Sequence, residues 1–154
     1  MTKIAVLGAG YVTKPAIDYF LDTCGYEVLV TSLEKSEAQS LVAGRPGGVA
    51  LGWSVDQVDV LESIVSEADL VLSMIPPHLH VEVAKACIRH GKNMVTTSYV
   101  NPDMEALDKQ CRERDIIILN EIGEDPGLDN MNTMQMIDQV KAEKGRVVSV
   151  TSYG

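Results

Sequence analysis

No apolar run among the 154 residues approaches the roughly 20 needed to cross a bilayer, and the amino terminus leads into a strand-like stretch without a signal-peptide pattern. A membrane partner is therefore not expected, and the chain reads as cytoplasmic. Basic residues are scarce too: 13 Lys+Arg stand against 22 Asp+Glu, a net charge of −9, with no basic block. Nucleic acid and anionic membrane are accordingly poor partners. Cysteine is rare and odd in number. Cys24, Cys87 and Cys111 are widely spaced, each in or beside a predicted helix, so they suggest neither a disulfide framework nor a metal knuckle and read as reduced packing thiols. His78 and His80 lack a third ligand nearby and read as structural or solvent-facing, so no metal is expected.

What is present is concentrated at the start. Ile4 to Leu7 is a short continuous apolar run, the pattern of a strand buried on both faces, and it enters Gly8-Ala9-Gly10 directly. A strand that ends in a glycine turn and opens a helix makes a phosphate site. Gly8 lets the chain turn, Gly10 lacks the Cβ that would hold a pyrophosphate away, and the following helix turns free N–H groups toward the anion. The third glycine of the usual fingerprint is missing; Thr13 stands there. Tyr11, Val12 and Thr13 complete the loop as candidate cofactor contacts.

Downstream, strand and helix alternate. Val12, Ala16, Ile17, Phe20 and Leu21 recur at helical spacing from Tyr11 to Thr23, Pro15 sits in the first turn, and Gly25 stops the helix. Tyr26 to Thr31 is a second strand. An NAD-binding unit usually ends that strand with a carboxylate, and here Thr31-Ser32-Leu33 takes the place. Ser32 and Lys35 are the nearby groups for a 2′-phosphate, with Glu34 opposing them; alternatively Ser32 caps the next helix. Helices are expected over 36–42, 56–68, 80–89, 102–114 and 129–142, and strands over 49–53, 69–75, 93–97, 115–119 and 146–151. Trp53 reads as core or rim. The carboxyl end of the strand beside the first lies against a dinucleotide, which makes Ser73, Ile75 and Pro76 candidate contacts. Beyond the sixth strand, Asn120 to Gly127 is a polar loop with Gly and Pro, and the stop at Gly154 flush with a strand suggests a fragment of a longer protein.

Four stretches of this sequence resemble the saccharopine dehydrogenase (saccharopine reductase) family: Leu7 to Pro15, Asp69 to Pro76, Val95 to Val100, and Asn120-Glu121-Ile122-Gly123-Glu124-Asp125-Pro126-Gly127-Leu128-Asp129. The first stretch is shared with many dinucleotide folds; the last two are more specific, and Thr13 also fits. The resemblance implies an enzyme that reduces an imine, or oxidises a secondary amine, with a nicotinamide cofactor, interconverting saccharopine with glutamate plus aminoadipate semialdehyde in lysine metabolism. It places Tyr99 and Asp125 near the substrate as catalytic or positioning residues. Two departures stand out: Leu33 occupies a place where members often carry Arg for the 2′-phosphate, and Gly154 follows Ser152-Tyr153 where they often carry Cys.

The expected fold is therefore α/β, a doubly wound Rossmann-type parallel sheet with helices on both faces, truncated at the start of a second domain. Residues 1–120 form the dinucleotide domain, and 121–154 the junction loop, helix and first strand of a substrate domain. The expected cofactor is NADP(H) rather than NAD, because the missing carboxylate removes a repulsion from the 2′-phosphate. The partners are the dinucleotide and, in the longer protein, an amino-acid substrate; a homodimer stays open. By itself the chain is expected to bind cofactor without turnover. The competing reading is a stand-alone NAD(P)-binding regulatory module. A methyltransferase-like fold is disfavoured, since it needs an acid where Ser32 stands.

Overall fold

The computed structural model describes residues 1–152. Six parallel strands, β1 (Lys3–Leu7), β2 (Glu27–Ser32), β3 (Gly48–Gly52), β4 (Leu70–Ser73), β5 (Asn93–Thr96) and β6 (Ile118–Leu119), form one sheet in the order β3-β2-β1-β4-β5-β6. The chain runs outward from β1 to β3, returns, and runs outward again from β4. This is the doubly wound dinucleotide order, with its switch point between β1 and β4. Val6 pairs with Val30 on one side and Leu72 on the other.

The apolar run of β1 has its cause in this position. Ile4 and Val6 pack with Ile17, Val28, Val30, Ala38 and Val42 on the face covered by α1 (Lys14–Asp18) and α2 (Lys35–Val42). Ala5 and Leu7 point the other way, into a core with Leu61, Ile64 and Val65 of α3 (Val58–Glu67) and Val83 and Cys87 of α4 (His80–His90). A central strand covered on both faces has no place for a polar residue. On the first face, Arg45 clamps the two helices together. Its guanidinium donates to Asp18 and Asp22 at 2.8 Å each and to the carbonyls of Leu41 and Val42.

Several expected boundaries move. The first helix begins at Lys14, not Tyr11, and after Asp18 continues as a π turn over Tyr19–Thr23. Val12, expected on its buried face, is therefore exposed. The helix expected over 102–114 divides into α5 (Pro102–Glu105), whose first turn Asn101 caps through the Met104 N–H at 2.9 Å, and α6 (Asp108–Glu113). Strand β6 shrinks to two residues because Asp115 takes a left-handed φ of 54° after α6 and the Ile117 N–H goes to the Asn93 side chain at 2.8 Å. No strand forms over 146–151, since among the described residues nothing pairs with that segment. It follows α7 (Leu128–Ala142), which buries none of its residues. Gly154, singled out for its departure from the family pattern, lies outside the described residues.

Thr13 occupies the missing third glycine's place, at the N-cap of α1, and is fully buried with its hydroxyl lacking a hydrogen-bond partner among the described residues. A buried hydroxyl without a partner costs about 1–3 kcal/mol, whereas its methyl and Cβ fill space. Thr13→Val is expected to stabilise the fold by about 1 kcal/mol, a rise in Tm of about 2–4 °C, and Thr13→Gly to destabilise it by leaving a void. Thermal unfolding followed by circular dichroism checks the sign; a Val variant that melts lower would mean the hydroxyl is satisfied.

Candidate functional site: a cleft at the switch point

At the carboxyl ends of β1 and β4 a cleft of about 700 Å³ opens, within the range of small-molecule sites. Its floor is the glycine turn. Gly8 has φ +110°, and a Cβ there would stand 2.7 Å from the Met74 carbonyl oxygen, so only glycine lets β1 turn this close to the segment leaving β4. The Gly8 N–H is taken by the Thr31 carbonyl at 3.0 Å, and Met74 N–H by Leu7 at 2.8 Å, which locks the turn between both neighbouring strands. Beyond it the backbone is open. Among the described residues the N–H groups of Ala9, Gly10, Tyr11 and Val12 find no acceptor, and a Cβ on Gly10 would meet nothing within 4 Å. Gly10 and Tyr11 line the cleft, with Lys14 beside them. Unpaired N–H groups and a cation facing an open space are what a pyrophosphate needs.

One wall is Met74, Ile75, Pro76 and Leu79; the far end is Thr31, Ser32, Leu33, Glu37, Ser40 and Leu41, closed by Trp53 to Val55. Ser32 does not cap α2 with its side chain: its hydroxyl donates to Glu37 Oε2 at 2.5 Å. The hydroxyl of Thr31 and the indole N–H of Trp53 are buried without a partner among the described residues.

Of the expected cofactor contacts, Gly8, Gly10, Tyr11, Ser32, Ile75 and Pro76 line this cleft. Four do not. Thr13 is buried beneath the turn, Val12 is exposed away from it, and Lys35 sits at the start of α2 with its Cβ against Gly52 rather than facing the cleft. Ser73 is buried and committed to His80. Lys14, Glu37 and Trp53 went unrecognised as lining residues; the spacing of α2, once its start is set at Lys35, puts Glu37 in the first turn beside the end of β2.

A second polar cluster lies one strand over. Buried His80 shares Nδ1 with Ser73 Oγ at 2.8 Å, and Nε2 with Ser98 at 2.9 Å and Thr96 at 3.1 Å, tying β4 to the end of β5. Ser98 precedes Tyr99, whose hydroxyl donates to Asp125 at 2.5 Å. The loop carrying Asp125 is held from both sides: Glu121 and Ile122 N–H groups bond the Ser98 and Thr96 carbonyls at 3.1 and 3.3 Å, and Gly123 bonds Pro126 at 2.9 Å. Gly127, at φ +145°, has no room for a Cβ, which would stand 2.2 Å from the Gly123 carbonyl oxygen. Tyr99 and Asp125, 26 positions apart, are thus brought together on an exposed surface. The hydrogen bond to Asp125, then desolvation, then the charges of Asp125, Asp129 and Glu121 push the Tyr99 pKa up, so the phenol stays a neutral donor to the carboxylate.

The fold and the glycine turn define a dinucleotide-binding Rossmann domain. Residues 4–119 match the family described as "Saccharopine dehydrogenase NADP binding domain", and the chain belongs to that family. It is 37% identical over 153 residues to a saccharopine dehydrogenase [NADP(+), L-glutamate-forming] of Schizosaccharomyces pombe, covering 99% of this chain and 34% of that protein. It is 38% identical to the mitochondrial alpha-aminoadipic semialdehyde synthase of Bos taurus, covering 98% of this chain and 16% of that one. A solved apo saccharopine dehydrogenase (L-Glu forming) from Saccharomyces cerevisiae superposes with a TM-score of 0.84 at 31% identity, over 92% of this chain and 32% of that one. The chain thus spans about a third of the length of the fungal relatives. Among the described residues no helix is long and apolar enough to cross a membrane, and no group of three His, Cys, Asp or Glu is arranged to hold a metal ion.

Burial, and secondarily the charge of His78, holds the His80 pKa below its ordinary 6.5. The unfolded chain then binds more protons than the folded one, so the neutral imidazole's contribution is complete above the unfolded pKa and is lost as pH falls toward the lowered folded value. The wild type is therefore expected to lose Tm between about pH 7.5 and pH 5.5, and His80→Gln to flatten that slope. Parallel slopes in the two proteins would show that His80 is not desolvated.

Proposed function

We propose that the chain is the cofactor-binding part of a saccharopine dehydrogenase-type oxidoreductase that interconverts saccharopine with glutamate plus aminoadipate semialdehyde. The observation that carries the reading is the open N–H turn after β1, facing a cleft whose sheet edge also holds the paired Tyr99 and Asp125. The dinucleotide is NADP(H), in line with the family's description. When bound it supplies or accepts the hydride at the imine carbon. Gly10 and Tyr11 N–H groups and Lys14 hold the pyrophosphate, Ile75 and Pro76 flank the nicotinamide side, and Ser32 lies at the adenosine ribose.

Asp125 and Tyr99 serve the reacting nitrogen. Reduction turns an imine nitrogen into an amine that keeps one more proton, so a carboxylate nearby stabilises the iminium and orients its N–H. Tyr99 fixes the rotamer of Asp125 by donating to it, and the charges of Glu121 and Asp129 favour a cationic nitrogen there. We also place the domain boundary after residue 120. In support, 121–127 forms a separate looped strap, and α7, with Met131, Met134 and Met136 exposed, presents an apolar surface suited to a following substrate domain. For the compartment we retain the cytoplasm.

Two substitutions test separate parts of this reading. Gly10→Val is expected to leave Tm unchanged, since its Cβ site is open, and to abolish NADPH binding by filling the pyrophosphate space. Titration of NADPH fluorescence decides it, and undiminished affinity would remove the glycine turn from the site. In the longer enzyme, Asp125→Asn is expected to lower kcat by about 10²–10⁴ while leaving NADPH affinity unchanged. Full turnover in the Asn protein would reduce Asp125 to a loop residue.

A further inference from the structure

The adenosine end of the cleft carries a charge opposite to the one a 2′-phosphate requires. Among the described lining residues Lys14 supplies the positive charge, and it belongs to the glycine-turn end, paired with Asp18. Arg45 is committed to Asp18 and Asp22. Lys35, the cation nearest in sequence, packs its stem on Gly52. At the end of β2 the ionisable group that lines the cleft is Glu37, and it is held there rather than free to swing, because Ser32 Oγ donates to its carboxylate at 2.5 Å and Ser40 Oγ closes the turn onto its carbonyl at 2.7 Å.

We propose that Glu37 is the residue that sets this domain's discrimination between NADPH and NADH, acting against the 2′-phosphate. The inference rests on the nicotinamide-dinucleotide reading above. The ribose of a dinucleotide lies over the end of the second strand, here Ser32. A carboxylate anchored on Ser32 accepts a hydrogen bond from a ribose 2′-hydroxyl; against a 2′-phosphate it places like charges together and also withholds the Ser32 hydroxyl that would otherwise donate to the phosphate. A Gln in its place keeps the side chain's length and removes the charge while its amide oxygen still accepts from Ser32, whereas an Ala removes the charge and also releases the hydroxyl. Glu37 therefore stands at the ribose where an acid at the end of β2 stands in other dinucleotide domains, five positions downstream of Ser32, and narrows the preference for NADPH without reversing it.

The test is a set of binding titrations on the chain as it stands. Wild type, Glu37→Gln and Glu37→Ala are titrated with NADPH and NADH, and with adenosine 2′,5′-bisphosphate and 5′-AMP, which report the adenosine end alone. Because Glu37 is exposed, both variants are expected to melt with the wild type. Both are expected to tighten NADPH and the bisphosphate about tenfold, with NADH and 5′-AMP unchanged or weaker, and the gain is expected to shrink in high salt. If wild type binds both dinucleotides and the variants leave their ratio unmoved, Glu37 is not the selector and the cofactor reading survives. If wild type binds neither dinucleotide, the cofactor reading fails and this proposal with it.

Discussion

Everything at the functional edge of this sheet depends on how closely the chain leaving β1 passes the chain leaving β4. With Gly8 at φ +110° and its Cβ position 2.7 Å from the Met74 carbonyl oxygen, no other residue fits. That approach keeps the turn low, between the Thr31 carbonyl on one side and Met74 on the other, so that the N–H groups of the next residues emerge into open space instead of being spent on the sheet. A side chain at Gly8 would lift the loop or push β4 away, and cleft and switch point would be lost together. Gly10 differs in kind. Among the described residues nothing lies within 4 Å of its missing Cβ, so packing gives no reason for a glycine there.

The other end of the edge is built by hydrogen bonding rather than by close packing. His80 reaches Ser73, Thr96 and Ser98 at once, which fixes the strand ends from which Tyr99 departs. The 121–127 strap then docks on the Thr96 and Ser98 carbonyls and brings Asp125 to Tyr99. The buried network gives rigidity to two side chains that are themselves exposed. Charge follows the same plan. The open N–H groups and Lys14 gather at the glycine-turn end of the cleft, while carboxylates gather around Tyr99 and at Glu37.

The sequence by itself determined the doubly wound class, because a continuous apolar run and the glycine turn after it are local signals: Ile4 to Leu7 cannot be so apolar unless covered on both faces, and Gly8-Ala9-Gly10 after such a run has few other uses. The Tyr99 and Asp125 assignments came from family resemblance, since an aromatic at a strand end and an acid before proline carry no spacing signal; their hydrogen bond belongs to the tertiary structure. Tertiary structure alone also decided the fates of Thr13, Ser73 and Lys35. Whether a side chain near a loop faces a cleft or the core depends on the start of a helix to within one residue, and each residue turns the direction by about 100°. Beginning α1 at Lys14 buried Thr13 and exposed Val12, and beginning α2 at Lys35 turned the lysine away and brought Glu37 in. The short last strand vanished for the same nonlocal reason, because a strand exists only where another chain segment lies beside it to take its hydrogen bonds.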